Sequence, residues 1–410
     1  MSLTEQDFAA LAEVAVRVGV NLQPGQRLSV NASILHAPTV RAVAQAAYRA
    51  GARDVRVDFH DEGFDRLRLI EAPEEGLREF PQWLADGMKH EVKAGTAFLS
   101  IIGSDPDLLA GVPAGRIAMS LKARQEAMGT FRLYQRRAWS IIAAPSPAWA
   151  AKVFPGKPAE IAMDLLWQAM QKACRVDGTD PVGAWHTHVQ GLQARARWLD
   201  ELQIARLHYL SSSADLEIAL PPTHQWVTSG QSRSVGYPTS PNIPTEEIFT
   251  APLRTGVNGT VKSTKPLSHA GQLIEGIAFT FKDGRIVSYA AARGQEALRE
   301  VIETDQGSHF LGEVALVPID SPISLSGILY YNTLFDEKAS CHLAIGSSSR
   351  NALTDGSEVH TDQDLLRKGA NASITHVDFM IGSHDLTIDA DTTDGQSVPI
   401  FRQGTWASPI

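Results

Sequence analysis

Two short segments in the last quarter of the chain carry residue types that could bind a divalent metal ion. The first, from Asn332 to His342, places Glu337 five residues before His342. The second begins at His376, and Asp378 follows two residues later in an apolar stretch typical of a strand. Imidazole nitrogen suits zinc, cobalt or iron, and carboxylate oxygen can bridge two ions. The two segments therefore predict a metal site with two imidazoles and two carboxylates.

The spacing of these residues supports a shared site. Residues two apart on a strand point to the same face, so His376 and Asp378 can reach one ion. Another acid, Glu313, follows Gly312 and precedes the apolar run 314–317 at the mouth of a buried strand. A buried carboxylate is costly unless it is paired. Either a metal ion or an ion pair with Lys or Arg would relieve that cost.

Four segments together resemble the M29 family of metallo-aminopeptidases, the thermophilic aminopeptidase type. They occur in the family's order and with very similar spacing, a far more specific signal than one short motif. The resemblance covers nearly the whole chain and is looser over residues 1–210. The segments are PNIPTEEIFTAP at 241–252, LGEVALVP at 311–318, NTLFDEKASCH at 332–342 and HVDFMIGS at 376–383.

The resemblance implies a metallo-exopeptidase that removes N-terminal residues from short peptides. It implies two divalent metal ions per chain, zinc or cobalt first, with manganese or magnesium as alternatives. Glu313 is implied to bridge the two ions and to act as general base. A homodimer is the implied assembly. The residues at the family's ligand positions are Glu247, Glu313, Glu337, His342, His376 and Asp378.

The chain departs from the family at two positions near these ligands. Ser349 stands seven residues after His342, where the family has a catalytic tyrosine, and no tyrosine follows Tyr331. Losing one oxyanion donor typically costs on the order of 10²–10³ in rate. Water, Arg350 or another group must donate instead, or the chemistry has drifted. Lys338 replaces the usual asparagine; we expect a solvated loop lysine, and the alternative is a cation near the transition state.

Two other functions stay open at this point. His342, His376 and Asp378 alone form the two-His-one-carboxylate set of non-haem iron oxygenases, which predicts a single-iron ring-opening dioxygenase on the same fold. The additional glutamates favour two ions over one. The serine at position 349 motivates the second alternative, a catalytically impaired relative that binds peptides.

Composition excludes some classes of protein. The net charge of -9 argues against nucleic acid as the main partner, because phosphate binding needs a basic face. Only Cys174 and Cys341 occur, so no disulfide framework is predicted, and we expect Cys341 to be a buried apolar residue facing away from the ligands. The sequence contains no apolar run of about 18 residues, so no membrane span is predicted. The first eight residues lack a signal pattern, so a cytoplasmic location is expected.

The secondary-structure pattern predicts an α/β fold in two domains. Strands and helices alternate in the first half, which is typical of a parallel sheet. The second half is richer in short strands, including a hairpin around Lys282-Asp283-Gly284. We predict an N-terminal α/β domain over 1–205 and a C-terminal β-rich, metal-binding catalytic domain over 206–410. The predicted elements of the first half include strands at 27–31, 54–59, 97–102 and 139–143 and helices at 38–49, 114–136, 158–173 and 182–203.

Overall fold

The chain folds as two compact units, and each contains its own sheet structure. The first consists of described residues within 1–188 and 229–244, and the second of those within 189–228 and 245–410. The computed structural model describes residues 3–128, 137–231, 235–269 and 271–408.

The first unit contains a four-stranded parallel sheet with the spatial order β2-β1-β3-β4. Strands β3 and β4 are apolar along most of their length, which is typical of a parallel sheet covered on both faces. The strands are β1 (Arg27–Ser33), β2 (Asp54–His60), β3 (Ala97–Ile102) and β4 (Trp139–Ala143). The α-helices that end before residue 188 are α1 (Ala9–Val14), α2 (Ala37–Arg49), α3 (Glu62–Glu71), α4 (Glu74–Leu77), α5 (Gln82–Lys93), α6 (Ala114–Met128), α7 (Pro147–Val153) and α8 (Ala159–Ala173). Helix α9 covers Pro181–Glu201.

The second unit is dominated by antiparallel sheets. One has eight strands in the order β12-β11-β8-β6-β5-β16-β17-β18, one has four in the order β15-β14-β13-β7, and β9 pairs with β10. The strands are β5 (Ile204–Ser211), β6 (Ala214–Ala219), β7 (Ile248–Thr250), β8 (Val257–Lys262), β9 (Leu267–His269), β10 (Gln272–Ile274), β11 (Ala278–Lys282), β12 (Arg285–Ala290), β13 (Leu311–Leu316), β14 (His342–Gly346), β15 (His376–Met380), β16 (Thr387–Thr392), β17 (Ser397–Arg402) and β18 (Thr405–Trp406). The helices are α10 (Gln295–Ile302), α11 (Pro322–Ser326), α12 (Thr333–Asp336) and α13 (Asp362–Arg367).

One apolar core fills the second unit between its two larger sheets. Side chains from the eight-stranded sheet, such as Leu207 and Phe279, share it with Leu343 and Phe379 from the four-stranded sheet. The rings of Phe279 and Phe379 meet edge to face, with centroids 5.0 Å apart. This core covers one face of the four-stranded sheet, so residues that alternate with the core positions point to the opposite face.

The predicted α/β class is confirmed: a parallel sheet with helices is joined to a β-rich unit. The predicted hairpin forms between β11 and β12. The predicted helix 114–136 is observed as α6 up to Met128, and residues 129–136 lie outside the described part of the chain. No helix among the described residues is long and apolar enough to cross a membrane.

Candidate metal centre

Alternation along two strands of the four-stranded sheet brings candidate ligands to the face opposite the core. On β15, Val377 and Phe379 belong to the apolar core, so His376 and Asp378 point to the opposite face. The same rule applies to β14, where His342 alternates with core residues and reaches that face too. The prediction that His376 and Asp378 share a face is therefore met by the strand geometry.

Glu313 reaches the same face because β13 contains one extra residue. Leu311 and Val314 both lie in the core although they are three apart, and the pairing register with β14 shifts between Leu311 and Glu313. Gly312 occupies this bulge. A Cβ there would lie 2.3 Å from the carbonyl oxygen of Gly346, so a larger residue would force the two backbones apart. The bulge turns the Glu313 carboxylate away from the core.

Glu247 approaches the other candidate ligands from β7, which is the edge strand opposite β15. It immediately precedes β7, whose first residue, Ile248, is in the apolar core. Thr228 Oγ1 donates a hydrogen bond to the carbonyl oxygen of Glu247 at 2.7 Å and fixes the backbone there. The Glu247 side chain is buried beside His342, with Oε2 3.2 Å from Nε2 of that imidazole.

Five of the six predicted ligands form two triads that share one carboxylate. The first consists of Glu247, Glu313 and His342, the second of Glu313, His376 and Asp378, and in each the candidate ligand atoms lie within 4.8 Å of one another. Oε1 of Glu313 is 3.7 Å from Nε2 of His342, and its Oε2 is 3.7 Å from Nε2 of His376. The two oxygens of one side chain thus face the two triads.

Both imidazoles are oriented by backbone carbonyl groups. Nδ1 of His376 lies 2.8 Å from the carbonyl oxygen of Ser347, and Nδ1 of His342 lies 3.3 Å from that of Ser340. A proton on each Nδ1 would be donated to these carbonyls, which leaves the Nε2 lone pairs directed at the carboxylates. Metal-binding histidines are usually held in this way.

The donor atoms fit a divalent ion. Nε2 of His342 and Oδ1 of Asp378 are buried, and neither makes a hydrogen bond of acceptable geometry to any described residue. Unsatisfied polar atoms in a protein interior are rare and call for a partner. A mixed set of imidazole nitrogens and carboxylate oxygens suits zinc, cobalt or manganese.

The pKa values of these groups reflect concentrated negative charge. Burial raises the pKa of Glu313. For His376, burial would lower the pKa, but the carboxylates of Asp378 and Glu313 outweigh it and raise the pKa to about 10. The pKa of His342 is also raised, because contacts with Glu247 and Glu313 outweigh burial. A divalent cation would compete with protons at both imidazoles.

The sixth predicted ligand, Glu337, is buried but lies outside both triads. Its Oε1 accepts a hydrogen bond from Nζ of Lys338 at 2.6 Å. Burial raises the pKa of Glu337 to about 8, although the nearby Lys338 opposes the shift. The expectation of a solvated loop lysine was wrong, because the side chain of Lys338 is 1% exposed and also contacts Glu247. A lysine in a short turn has no periodic pattern that could reveal this burial.

Two other predicted residues can also be located. Cys341 is buried as expected, with its Sγ 3.4 Å from the carbonyl oxygen of Val317. Ser349 is half-buried beyond the end of β14, and its Oγ accepts a hydrogen bond from the Asn351 backbone at 3.3 Å. Sequence reasoning missed Ala344, which pairs with both Glu313 and Asp378 across the sheet. An alanine in an apolar strand carries no distinguishing signal.

Two triads that share a carboxylate are a donor set suited to metal-dependent hydrolases. The family model described as thermophilic metalloprotease (M29) matches residues 4–406. This chain belongs to the M29 family.

Similarity to individual members extends over the full length. The chain is 47% identical to aminopeptidase AmpS of Bacillus subtilis (strain 168), covering 99% of this chain and 100% of that protein. It is 44% identical to aminopeptidase 2 of Geobacillus stearothermophilus, covering 99% of each. The solved structure of wild-type AmpT from Thermus thermophilus matches with a TM-score of 0.91 and 37% identity, covering 98% of this chain and 100% of that one.

Proposed function

We propose that this chain removes single N-terminal residues from short peptides with a water activated between two divalent metal ions. Family membership and full-length similarity to proteins named aminopeptidases make it a metal-dependent aminopeptidase. The number of ions, their ligands and the size of the substrate are the finer parts of the proposal. The proposed ligands are Glu247, Glu313, His342, His376 and Asp378, with Glu337 as a sixth that is paired with Lys338 in this structure.

The observation that carries the two-ion proposal is the position of Glu313. Its two oxygens face separate imidazoles, each at 3.7 Å. A carboxylate placed in this way is suited to bridging two ions about 3.5–4 Å apart. A single-ion site would not require the second triad.

The chain's own residues would divide the chemistry among them. Bound divalent ions would supply a water of lowered pKa, polarise the scissile carbonyl and bind the free α-amino group. The buried Glu313 would take the water proton and pass it to the leaving amine. His342 and His376 would hold their Nε2 atoms in place through the carbonyl contacts of Nδ1.

Several details rest on chemistry or on the family resemblance alone. Zinc or cobalt is the proposed ion, with manganese or magnesium as the other candidates, because mixed nitrogen and oxygen sites accept all four. A homodimer and a cytoplasmic location stay proposals. The functional division into an α/β domain over 1–205 and a catalytic, metal-binding domain over 206–410 is also proposed. It is supported by the location of all six candidate ligands in the second unit.

No finding supports the two alternatives. A single-iron ring-opening dioxygenase would use His342, His376 and Asp378 and would leave Glu247 and Glu313 without a role. A catalytically impaired peptide binder would keep the triads and lack turnover. Metal stoichiometry tests the first alternative, and turnover tests the second.

The proposal is tested by activity measurements on metal-free and metal-loaded protein. Protein loaded with zinc or cobalt is expected to cleave leucine p-nitroanilide and Leu-Gly, and chelation is expected to abolish cleavage. N-Acetyl-leucine p-nitroanilide should resist, because its α-amino group is blocked. Asp378→Asn should lose activity, whereas Asp389→Asn, which breaks an exposed pair with Arg402 on the same unit, should not. Absence of cleavage with every metal tried would overturn the proposal.

A further inference from the structure

Lys338 is a fixed internal cation at the edge of the candidate centre. It lies on the turn Glu337–Ala339 and is almost fully buried. Its Nζ contacts Oε2 of Glu247 and donates to Oε1 of Glu337 at 2.6 Å. Ser321 Oγ donates to its backbone carbonyl at 3.2 Å, which anchors the turn. A buried ammonium is tolerated only while such partners are in place.

One carboxylate oxygen is shared between Lys338 and the first triad. Oε2 of Glu247 contacts the ammonium and also lies 3.2 Å from Nε2 of His342. A metal ion bound by Glu247 and His342 would compete with Lys338 for that oxygen. Two cations a few ångströms apart repel strongly in a partly desolvated site. The metal position formed by Glu247 and His342 therefore has the positive charge of Lys338 beside it before any ion binds.

The second triad has a different environment. Nε2 of His376 lies 3.5 Å from Oδ1 of Asp378 and 3.7 Å from Oε2 of Glu313, so these carboxylates face an imidazole instead of an ammonium. An imidazole nitrogen can itself be a metal ligand, whereas an ammonium has no lone pair and must be displaced as a whole charged group. The two positions are thus unequal in this chain.

We propose that Lys338 sets the order in which the two metal positions fill. The Glu313–His376–Asp378 position binds the first ion, and the Glu247–His342 position binds the second only when that ion displaces the ammonium. Displacement would also release Glu337, which then becomes available as a ligand. This inference rests on the proposed two-ion centre, and it adds that the second ion binds more weakly than the first.

Titration of metal-free protein with zinc, followed by calorimetry, tests the inference directly. Wild-type protein is expected to show two steps, with the second at least about tenfold weaker than the first. Lys338→Met, which keeps length and removes charge, is expected to strengthen the second step at least about tenfold and to strengthen the first step less. The ammonium contacts Glu247 directly, whereas its electrostatic effect on Asp378 is smaller than those of His376 and His342. Cobalt absorption spectra would report each step independently of activity.

Lys368→Met provides the matched control. Lys368 also contacts two carboxylates, Asp355 and Glu358, but at the surface of the same unit, so its removal should leave both steps unchanged. If circular dichroism shows that Lys338→Met does not fold, Lys338→Asn is used in its place. The two-step titration of wild-type protein tests the inference without any variant. Two equal wild-type steps, or a Lys338→Met titration identical to wild type, would overturn the inference and leave the proposed function intact. Binding of no ion at all would overturn the proposed function itself.

Discussion

Ala344 lies directly opposite Asp378 across the antiparallel pair of β14 and β15. On its other side it pairs with Glu313 of β13. Directly opposed side chains in such sheets have Cβ atoms about 4.5–5.5 Å apart, so the methyl group of Ala344 lies between the two candidate ligands Glu313 and Asp378. A small side chain at this position keeps the space above the sheet open for an ion.

Ala344→Leu should therefore block the centre by filling that space. We expect zinc affinity to fall at least about tenfold and peptidase activity to be lost, with an overpacking cost of about 1–3 kcal/mol in stability. Ala344→Ser, which is nearly the same size, should keep both properties within a few fold. Calorimetric titration and thermal unfolding measure the two effects separately. Wild-type zinc affinity in Ala344→Leu would show that the ions do not sit over this residue.

Two strands of the parallel sheet could be predicted well because they are nearly continuous apolar runs. The strands β3 and β4 were predicted with the bounds that the structure shows, Ala97–Ile102 and Trp139–Ala143. Helices α3 and α5 were not predicted. Both carry apolar residues at helical spacing, such as Phe64, Leu67 and Ile70 in α3, but these side chains are largely exposed. Each helix has one buried residue, Glu62 in α3 and Ala85 in α5.

In the candidate site, local spacing predicted one feature, and long-range pairing determined the others. The i, i+2 spacing of His376 and Asp378 was enough to predict a shared face. The bulge at Gly312 could not be predicted, because it depends on how β13 pairs with a strand that comes later in the chain. The burial of Lys338 likewise depends on Glu247, which is distant in sequence. Long-range contacts of this kind leave no local periodicity.

Glu313 should be the residue whose loss removes both ions. Because it belongs to both triads, Glu313→Ala is expected to reduce bound zinc to near zero, whereas Asp378→Asn affects one triad and should reduce it to one ion or fewer. Equilibrium dialysis at saturating zinc, followed by elemental analysis, measures the ratio. Asp389→Asn controls for the loss of an acid elsewhere in the unit. If Glu313→Ala binds two ions, this carboxylate does not bridge them.

Ser349→Tyr should restore an oxyanion donor that the resemblance places at this position. A donor that acts only in the transition state changes kcat more than KM, and we expect a rise in kcat of about tenfold or more. Ser349→Phe supplies the ring without the hydroxyl and should not gain activity. Steady-state kinetics on leucine p-nitroanilide compare the two variants. Equal kcat values for them would show that another group already serves as donor.

His36 should make the first unit sensitive to mild acid. Burial, with the charge of His60 as a second cause, lowers the pKa of this nearly inaccessible imidazole to about 4, from an ordinary value of 6.5. Above that ordinary value the folded and unfolded chains are both neutral at His36, and its contribution to stability is fully present. As the pH falls from 6.5 towards 4, the unfolded chain takes up a proton that the folded chain does not, so stability is lost by up to roughly 3 kcal/mol. His36→Leu should therefore lose less free energy of unfolding than wild type between about pH 7 and about pH 4.5 in urea titrations. His90→Gln, which replaces an exposed histidine of α5, should follow the wild-type curve, and a His36→Leu curve that also follows it would show that His36 is not the sensitive group.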